Sequence, residues 1–309
     1  MKKNSKIFVA GHNGMVGSAI VRKLKTEGYK NIITATRKEY DLTNQMHANI
    51  LIGNYLPDYI FLAAAKVGGI MANSTSPADF VYENLMVESN VIKAAQVFKV
   101  KKLVYLGSSC IYPRDCPQPI KEEYLLSGPL EKTNDGYAIA KIAGIVMCQK
   151  FNFQYGTNFI SLMPTNLYGK NDNYHLENSH VFPAMIRKFH EAKVRGDKNI
   201  TLWGTGSPYR EFLHVDDLAD ASVFLMNNYN DSEIINVGSG KDLSIKDLAL
   251  LMKKVIEFDG DILFDSSKPD GTPKKLLDVS KINNLGWKYS IEIEDGLRDS
   301  YKDFLKRNL

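Results

Sequence analysis

The sequence is short of cysteine, of long apolar runs and of blocks of like charge, and each shortage closes off a class of function. Three cysteines, Cys110, Cys116 and Cys148, among 309 residues are too few and too irregular for a disulfide framework. No C-x-x-C or Cys/His spacing suggests zinc, so no metal is expected, and a reducing cytoplasm fits best. No segment reaches the roughly 20 apolar residues of a spanning helix. The basic start, MKKNSK, runs into IFVA and then Gly11, too short for the apolar core of a signal peptide. Lys and Arg number 39 against 35 Asp and Glu, a net charge of +4. These charges are scattered, which argues against a nucleic-acid surface and is compatible with anionic small molecules.

What is present is alternation. Short β-branched runs (Ile7 to Ala10, Ile32 to Ala35, Tyr59 to Ala63, Leu103 to Leu106, Phe159 to Met163) take turns with helix-length segments. The helices are expected to run to about Glu27, from Ala78 to Phe98, and from Ala138 to Phe153. This pattern predicts an α/β fold, a Rossmann-type doubly wound parallel sheet with helices on both faces. After Pro164 it loosens into the polar loop GKNDNYHLENSH. A helix follows, then two strands around a Gly and Pro turn, with Asp216 or Asp217 expected to cap the next helix. Glu233 to Val237 reads as a further buried strand, and SSKPDGTPKK as another loop. Residues 1–170 plus about 206–239 are expected to form the dinucleotide-binding domain. A smaller, discontinuous α/β substrate domain would comprise about 171–205 plus 240–309.

The first strand leads into GHNGMVGSAI, with Gly11, Gly14 and Gly17 spaced G-x-x-G-x-x-G ahead of a helix. Glycines there allow a tight turn and let backbone N–H groups approach a pyrophosphate at the helix N-terminus. Near the end of the second strand stand Arg37 and Lys38, with no acid before Glu39. A cation in that place suits the 2′-phosphate of NADP(H) better than the free ribose hydroxyl of NAD, although Arg37 also fits a solvated strand-end charge.

The fourth strand ends in an unusual way, LGSSCIYP, where turn chemistry would call for Gly, Asn or Asp. In open parallel sheets the carboxyl ends of strands face the ligand. Tyr137 and Lys141 then follow as YAIAK. Their i, i+4 spacing puts both on one helix face, so that the ammonium is expected to depress the phenol pKa and make it a usable proton donor. Cys110, two residues beyond Ser108, is surplus to hydride transfer but suits removal of a proton α to a carbonyl. An acid on the opposite side would complete an inversion, and His180 in NSHVFPA is a candidate. Read alone, His180 also fits a capping residue and Cys110 a small buried hydrophobe.

The order of glycine loop, serine-bearing strand end, and Tyr and Lys about 30 residues later is that of the extended short-chain dehydrogenase/reductases. Together GHNGMVGSAI, GSSCIYP, YAIAKIAG, MPTNLYG, NSHVFPA, REFLHVDD and KPDGTPKKLLDV resemble the GDP-L-fucose synthase family over nearly the whole chain. The resemblance implies 3,5-epimerisation of a GDP-4-keto-6-deoxy-D-mannose substrate, with Cys110 and His180 as base and acid. It then implies reduction of the C4 ketone by NADPH, with Tyr137 donating the proton, Ser108 orienting the oxygen and Lys141 holding the nicotinamide ribose.

It further implies cofactor contacts from Gly11, Asn13, Gly14, Met15, Val16, Gly17, Arg37, Leu106, Gly107, Ser108, Ser109 and Lys141. Pro164, Thr165, Asn166, Leu167 and His180 would complete that set. Lys188, Trp203, Arg210 and Asp278 would lie near the GDP moiety. Trp203 also fits a core residue, Arg210 and Asp278 a surface ion pair, and Lys188 a solvated helix charge. A homodimer through the long helices is expected from the same resemblance. The chain departs from it at Asn13, where an Arg is common, so NADP preference would lean on Arg37. The competing readings are another sugar-nucleotide 4-epimerase, reductase or dehydratase on the same scaffold, or a non-catalytic NADP sensor. A dehydratase needs a carboxylate close to the serine, and Asp115 lies beyond Pro113.

Overall fold

The computed structural model describes residues 1–176, 179–268 and 270–307. Glu177 and Asn178 of the expected polar loop, and Pro269 of SSKPDGTPKK, lie outside the described residues. The first half alternates as the sequence predicts: β1 Lys6–Ala10, α1 Met15–Thr26, β2 Asn31–Ile33, α2 Gln45–Tyr55, β3 Tyr59–Leu62, α3 Ile70–Thr75, α4 Pro77–Val97, β4 Lys102–Leu106, α5 Asp135–Tyr155 and β5 Phe159–Pro164. These strands form one sheet in the order β2-β1-β3-β4-β5, every pair parallel. The order reverses between β1 and β3, which places the ligand crevice over their carboxyl ends.

Strand β4, KLVYL, is buried at every residue, as a central parallel strand covered on both faces must be. Helices α4 and α5 pack on the sheet and α1 against a later helix. The spacing of GHNGMVG explains the first turn. Gly11 has φ +81°, and a Cβ on Gly17 would sit 2.1 Å from the Gly11 carbonyl oxygen, so only glycine lets α1 start this close to β1.

The second half is more irregular: β6 Asn166–Tyr168, α6 Val181–Arg195, β7 Asn199–Trp203, β8 Tyr209–His214, α7 Val215–Asn228, β9 Ile235–Val237, β10 Asp242–Ser244, α8 Ile245–Ile256, β11 Asp261–Asp265, β12 Lys274–Lys275, α9 Ser280–Asn284 and α10 Ile293–Lys306. β9 returns to the main sheet beside β5. β8 stands outside it, pairing with β10, β12 and β6, and β7 pairs with β11. A second apolar cluster, including Tyr168, Phe182, Phe189, Phe212, Leu248 and Phe304, fills this half. Leu277, Val279, Ile282 and Trp287 instead join the core of the main sheet.

Two expectations are corrected. Helix α7 is capped by His214 and not by Asp216 or Asp217: the His214 ring accepts from the Asp216 amide. Asp217 accepts instead from the amides of Ser290 and Ile291, fastening the approach to α10. Strand β2 stops at Ile33 because the Glu39 carboxylate accepts from the Thr36 amide at 2.8 Å and folds the chain into a turn. Arg37 therefore sits in that turn.

Candidate active site

At the cofactor end the Gly14 amide donates to the Gly11 carbonyl at 3.0 Å. Gly14 caps α1 without a side-chain bond, and no acid stands in the first turn. The first N–H groups of α1, with Met15 and Val16, thus face an open glycine cradle, which fits a dinucleotide pyrophosphate. The Asn13 side chain is exposed, while its carbonyl accepts from Asn171 at 2.7 Å. Arg37 lies on the rim, bonded to Glu83 at 3.0 Å and Asp41 at 3.4 Å. Leu106, Gly107 and Ser109 at the end of β4, and Pro164 and Thr165 at the end of β5, are buried; Asn166 and Leu167 are half-buried. Thr165 and Asn166 both donate to the Glu211 carbonyl, which fixes the carboxyl end of β5 beside β8.

Ser108 answers the question raised by the strand end in two ways. It caps a short 3-10 turn over Ser109–Ile111, its hydroxyl accepting from the Cys110 amide at 3.1 Å, and its side chain favours the ionised form of Tyr137 against the larger effect of burial. Cys110 Sγ does not point into packed aliphatic side chains. Lys275 Nζ stands 3.6 Å away. Burial opposes the thiolate, yet the Lys275 charge, with the Ser108, Lys275 and Asn134 side chains, holds the thiol below its ordinary range. His180 caps α6 without a side-chain bond. Its ring is reached by solvent but is hemmed in enough that desolvation, and then Lys275, hold it below the ordinary histidine range. A lowered pKa makes its protonated form the readier proton donor.

The expected depression of the Tyr137 pKa is not found. Burial, then the charges of Cys110 and Glu88, push the phenol above its ordinary range. A phenol so placed keeps its proton until a stronger base takes it, which suits a donor. Lys141 is buried four residues on, its Nζ 5.9 Å from the Tyr137 ring centroid.

The polar rim at the second half gathers the remaining candidates unevenly. Trp203 is 60% exposed, so it is not a core residue. Lys188 and Lys268 stand 5.6 and 5.7 Å from its ring, forming a cationic aromatic face able to meet a base and a phosphate. Burial lowers the pKa of Lys188, so it is not a freely solvated charge. Arg210 and Asp278 do not form an ion pair: Arg210 donates to the Tyr209 carbonyl and feels Asp270, whereas Asp278 accepts from Ser280.

Three residues at this centre escape sequence reading. Lys275 belongs to KPDGTPKKLLDV, a segment whose lysines carry no positional cue. Asn134 precedes Tyr137 by three residues in TNDGYAIAK. Glu88 lies inside the long helix α4, where a charged residue looks like part of a solvated face.

The residues from 7 to 238 match the model of the NAD dependent epimerase/dehydratase family. The putative GDP-L-fucose synthase 2 of Arabidopsis thaliana is 56% identical over 306 residues, covering 99% of this chain and 93% of that protein. The GDP-L-fucose synthase of Escherichia coli K12 is 49% identical, with 97% of each chain covered. Among solved structures, a GDP-mannoheptose C4 reductase from Campylobacter jejuni with NADP bound superposes with a TM-score of 0.92 at 42% identity, covering 99% of each chain.

Proposed function

This chain belongs to the NAD dependent epimerase/dehydratase family, and from that premise we propose that it performs the GDP-L-fucose synthase reaction. It inverts C3 and C5 of GDP-4-keto-6-deoxy-D-mannose and then reduces the C4 ketone with NADPH. The observation that carries this reading is the Cys110 thiol, held toward thiolate 3.6 Å from Lys275 beside the Ser108 and Tyr137 hydroxyls. A reductase alone has no use for that thiol.

Cys110 as thiolate removes the proton α to the ketone, and the electron pair moves onto the C4 oxygen, where Ser108 and Tyr137 hydrogen-bond the enolate. His180, entering as the imidazolium, returns a proton to the opposite face of the same carbon; Cys110 then gives its proton to water and His180 takes one up, and a second round treats the other centre. When bound, NADPH supplies the hydride that C4 accepts. Tyr137 gives its proton to the C4 oxygen, with the Lys141 ammonium behind it. The glycine loop holds the pyrophosphate and Arg37 the 2′-phosphate. Lys188, Trp203, Arg210 and Asp278 take the GDP moiety.

Residues 1–170 with about 206–239 are assigned to NADP, and 171–205 with 240–309 to the nucleotide sugar; two apolar clusters support the division, and Leu277 to Trp287 in the first and Tyr168 and Phe212 in the second tie the halves. The chain acts as a cytoplasmic homodimer joined through α4 and α5. Exposed Tyr82, Val97, Ile139 and Phe153 on those helices support this. Among the described residues no helix is long and apolar enough to cross a membrane.

The test is product analysis. The purified protein is expected to oxidise NADPH with this keto sugar and to release a product inverted at C3 and C5, while Cys110→Ser stops solvent deuterium from entering those positions. A product reduced at C4 without inversion would reject the epimerase half of the reading.

A further inference from the structure

Behind Tyr137 lies a buried polar cluster that the proposed chemistry does not yet use. Glu88, on α4, is 2% exposed. Its Oε2 accepts from the Tyr105 hydroxyl and stands 3.7 Å from Lys141 Nζ. Its Oε1 has no hydrogen-bond partner among the described residues. The charged and titratable groups whose fields reach this cluster are Lys141, Tyr137 and Cys148 on α5 and Tyr105 on β4. Cys110 acts on it through Tyr137. A buried carboxylate with one oxygen unsatisfied is costly. Packing alone would be served by a leucine at this place.

We propose that Glu88, braced by Tyr105, is a positioning residue for the reduction: it holds Lys141 as a fixed ammonium behind Tyr137 and thereby sets the pH above which the phenol stops donating. The proposal rests on the reaction assigned above. Burial drives Lys141 toward the neutral amine, and Glu88 opposes this. Glu88 also repels a tyrosinate at Tyr137. Removing the Glu88 charge lets Lys141 lose its proton earlier and lets Tyr137 ionise earlier. Both effects move the loss of the active protonation state to lower pH, so the sign does not depend on which is larger.

Glu88→Gln keeps the shape and removes the charge. The basic limb of kcat for NADPH oxidation with the keto sugar is expected to move down by about one pH unit, about a tenfold loss on that limb. The basic limb of deuterium exchange at C3 and C5, run without NADPH, is expected to move by less, because Cys110 and His180 carry the proton transfers there and Tyr137 only hydrogen-bonds the enolate. A kcat profile that superimposes on wild type would overturn the proposal. So would an equal displacement of both profiles, which reports a general distortion. Should Glu88→Gln fail to fold, Tyr105→Phe removes the hydroxyl that stabilises the carboxylate and keeps the ring; it is expected to move the limb in the same direction by less, and an unmoved limb overturns the proposal. If wild type itself fails to oxidise NADPH with this sugar, the assigned reaction is wrong. If wild type turns over and both variants match it, only the role of Glu88 is lost.

Discussion

Lys102 and Lys141 are both only 3% exposed, and burial lowers the pKa of both. Their surroundings differ completely. Lys102, at the start of β4, donates to the carbonyls of Leu225, Met226 and Tyr229 and to Asn230 Oδ1, so it closes the C-terminal end of α7 with every donor occupied. Lys141, beyond the other end of β4, has one carboxylate at 3.7 Å and the rings of Tyr105 and Tyr137 beside it. Burial does not distinguish a structural cation from a functional one. What distinguishes them is whether hydrogen-bonding capacity is left over for a reacting group.

The contrast breaks most visibly at Lys141. Lys141→Met is expected to lower kcat for NADPH oxidation about a thousandfold, the scale of losing a tuned proton donor. Retention of more than a tenth of the wild-type rate would put Lys141 in the same structural class as Lys102. Next in size is Lys275, which has the same leftover capacity toward Cys110. Lys275→Met removes the charge that holds the thiol low, so the Cys110 pKa rises and deuterium exchange at C3 and C5 slows about a hundredfold near neutral pH. The pH dependence of Cys110 alkylation gives the same shift directly; an unshifted alkylation curve would remove Lys275 from the thiol's activation.

How much of this was legible in the sequence follows from how far apart the partners lie. The glycine loop and α1 were readable because Gly11, Gly14 and Gly17 act on one another within seven residues. Ser108, Cys110, Tyr137 and Lys141 were readable as candidates because each stands at a strand end or on one helix face. Helix α2 was not, since MHANILIGNY scatters its apolar residues around the axis; Met46 and Ile50 are exposed while Leu51 and Ile52 are buried. The only local cue was Asn44, whose side chain accepts from the Met46 and His47 amides. The direction of the Tyr137 shift was misread because burial, its largest cause, and the charges of Cys110 and then Glu88 are set by tertiary packing and not by the i, i+4 spacing to Lys141. Lys275 reaches Cys110 from 165 residues away through a two-residue strand that sets Lys275 opposite Arg210 on β8, a register that no local pattern specifies.

A third change sharpens the structural half of the contrast. Lys102→Met leaves the last carbonyls of α7 without their donor and is expected to cost about 2 kcal/mol, the scale of orphaned buried acceptors. The folded fraction should keep its wild-type kcat. Chemical denaturation followed by activity measured per folded molecule separates the two, and a loss of kcat without loss of stability would reverse the assignment.

The smallest expected effect concerns a cation of the opposite kind, Arg37, whose side chain is 67% exposed and already engaged by Glu83 and Asp41. Glu83 is shared with Lys66 at 2.7 Å. Exposed pairs of this sort contribute about 0–1 kcal/mol each, so a doubly charged 2′-phosphate can draw the guanidinium away at little cost, but the pairs also weaken what Arg37 can give. With Asn13 bringing no charge to the glycine loop, Arg37→Ala is expected to raise KM for NADPH about fivefold and leave KM for NADH nearly unchanged. Glu83→Gln frees Arg37 from one competitor and should lower KM for NADPH slightly, the effect fading as salt screens the rim. Equal rises in both KM values on removing Arg37 would mean that the 2′-phosphate is held by another group, and that the rim arginine is as saturated by its partners as Lys102 is by its carbonyls.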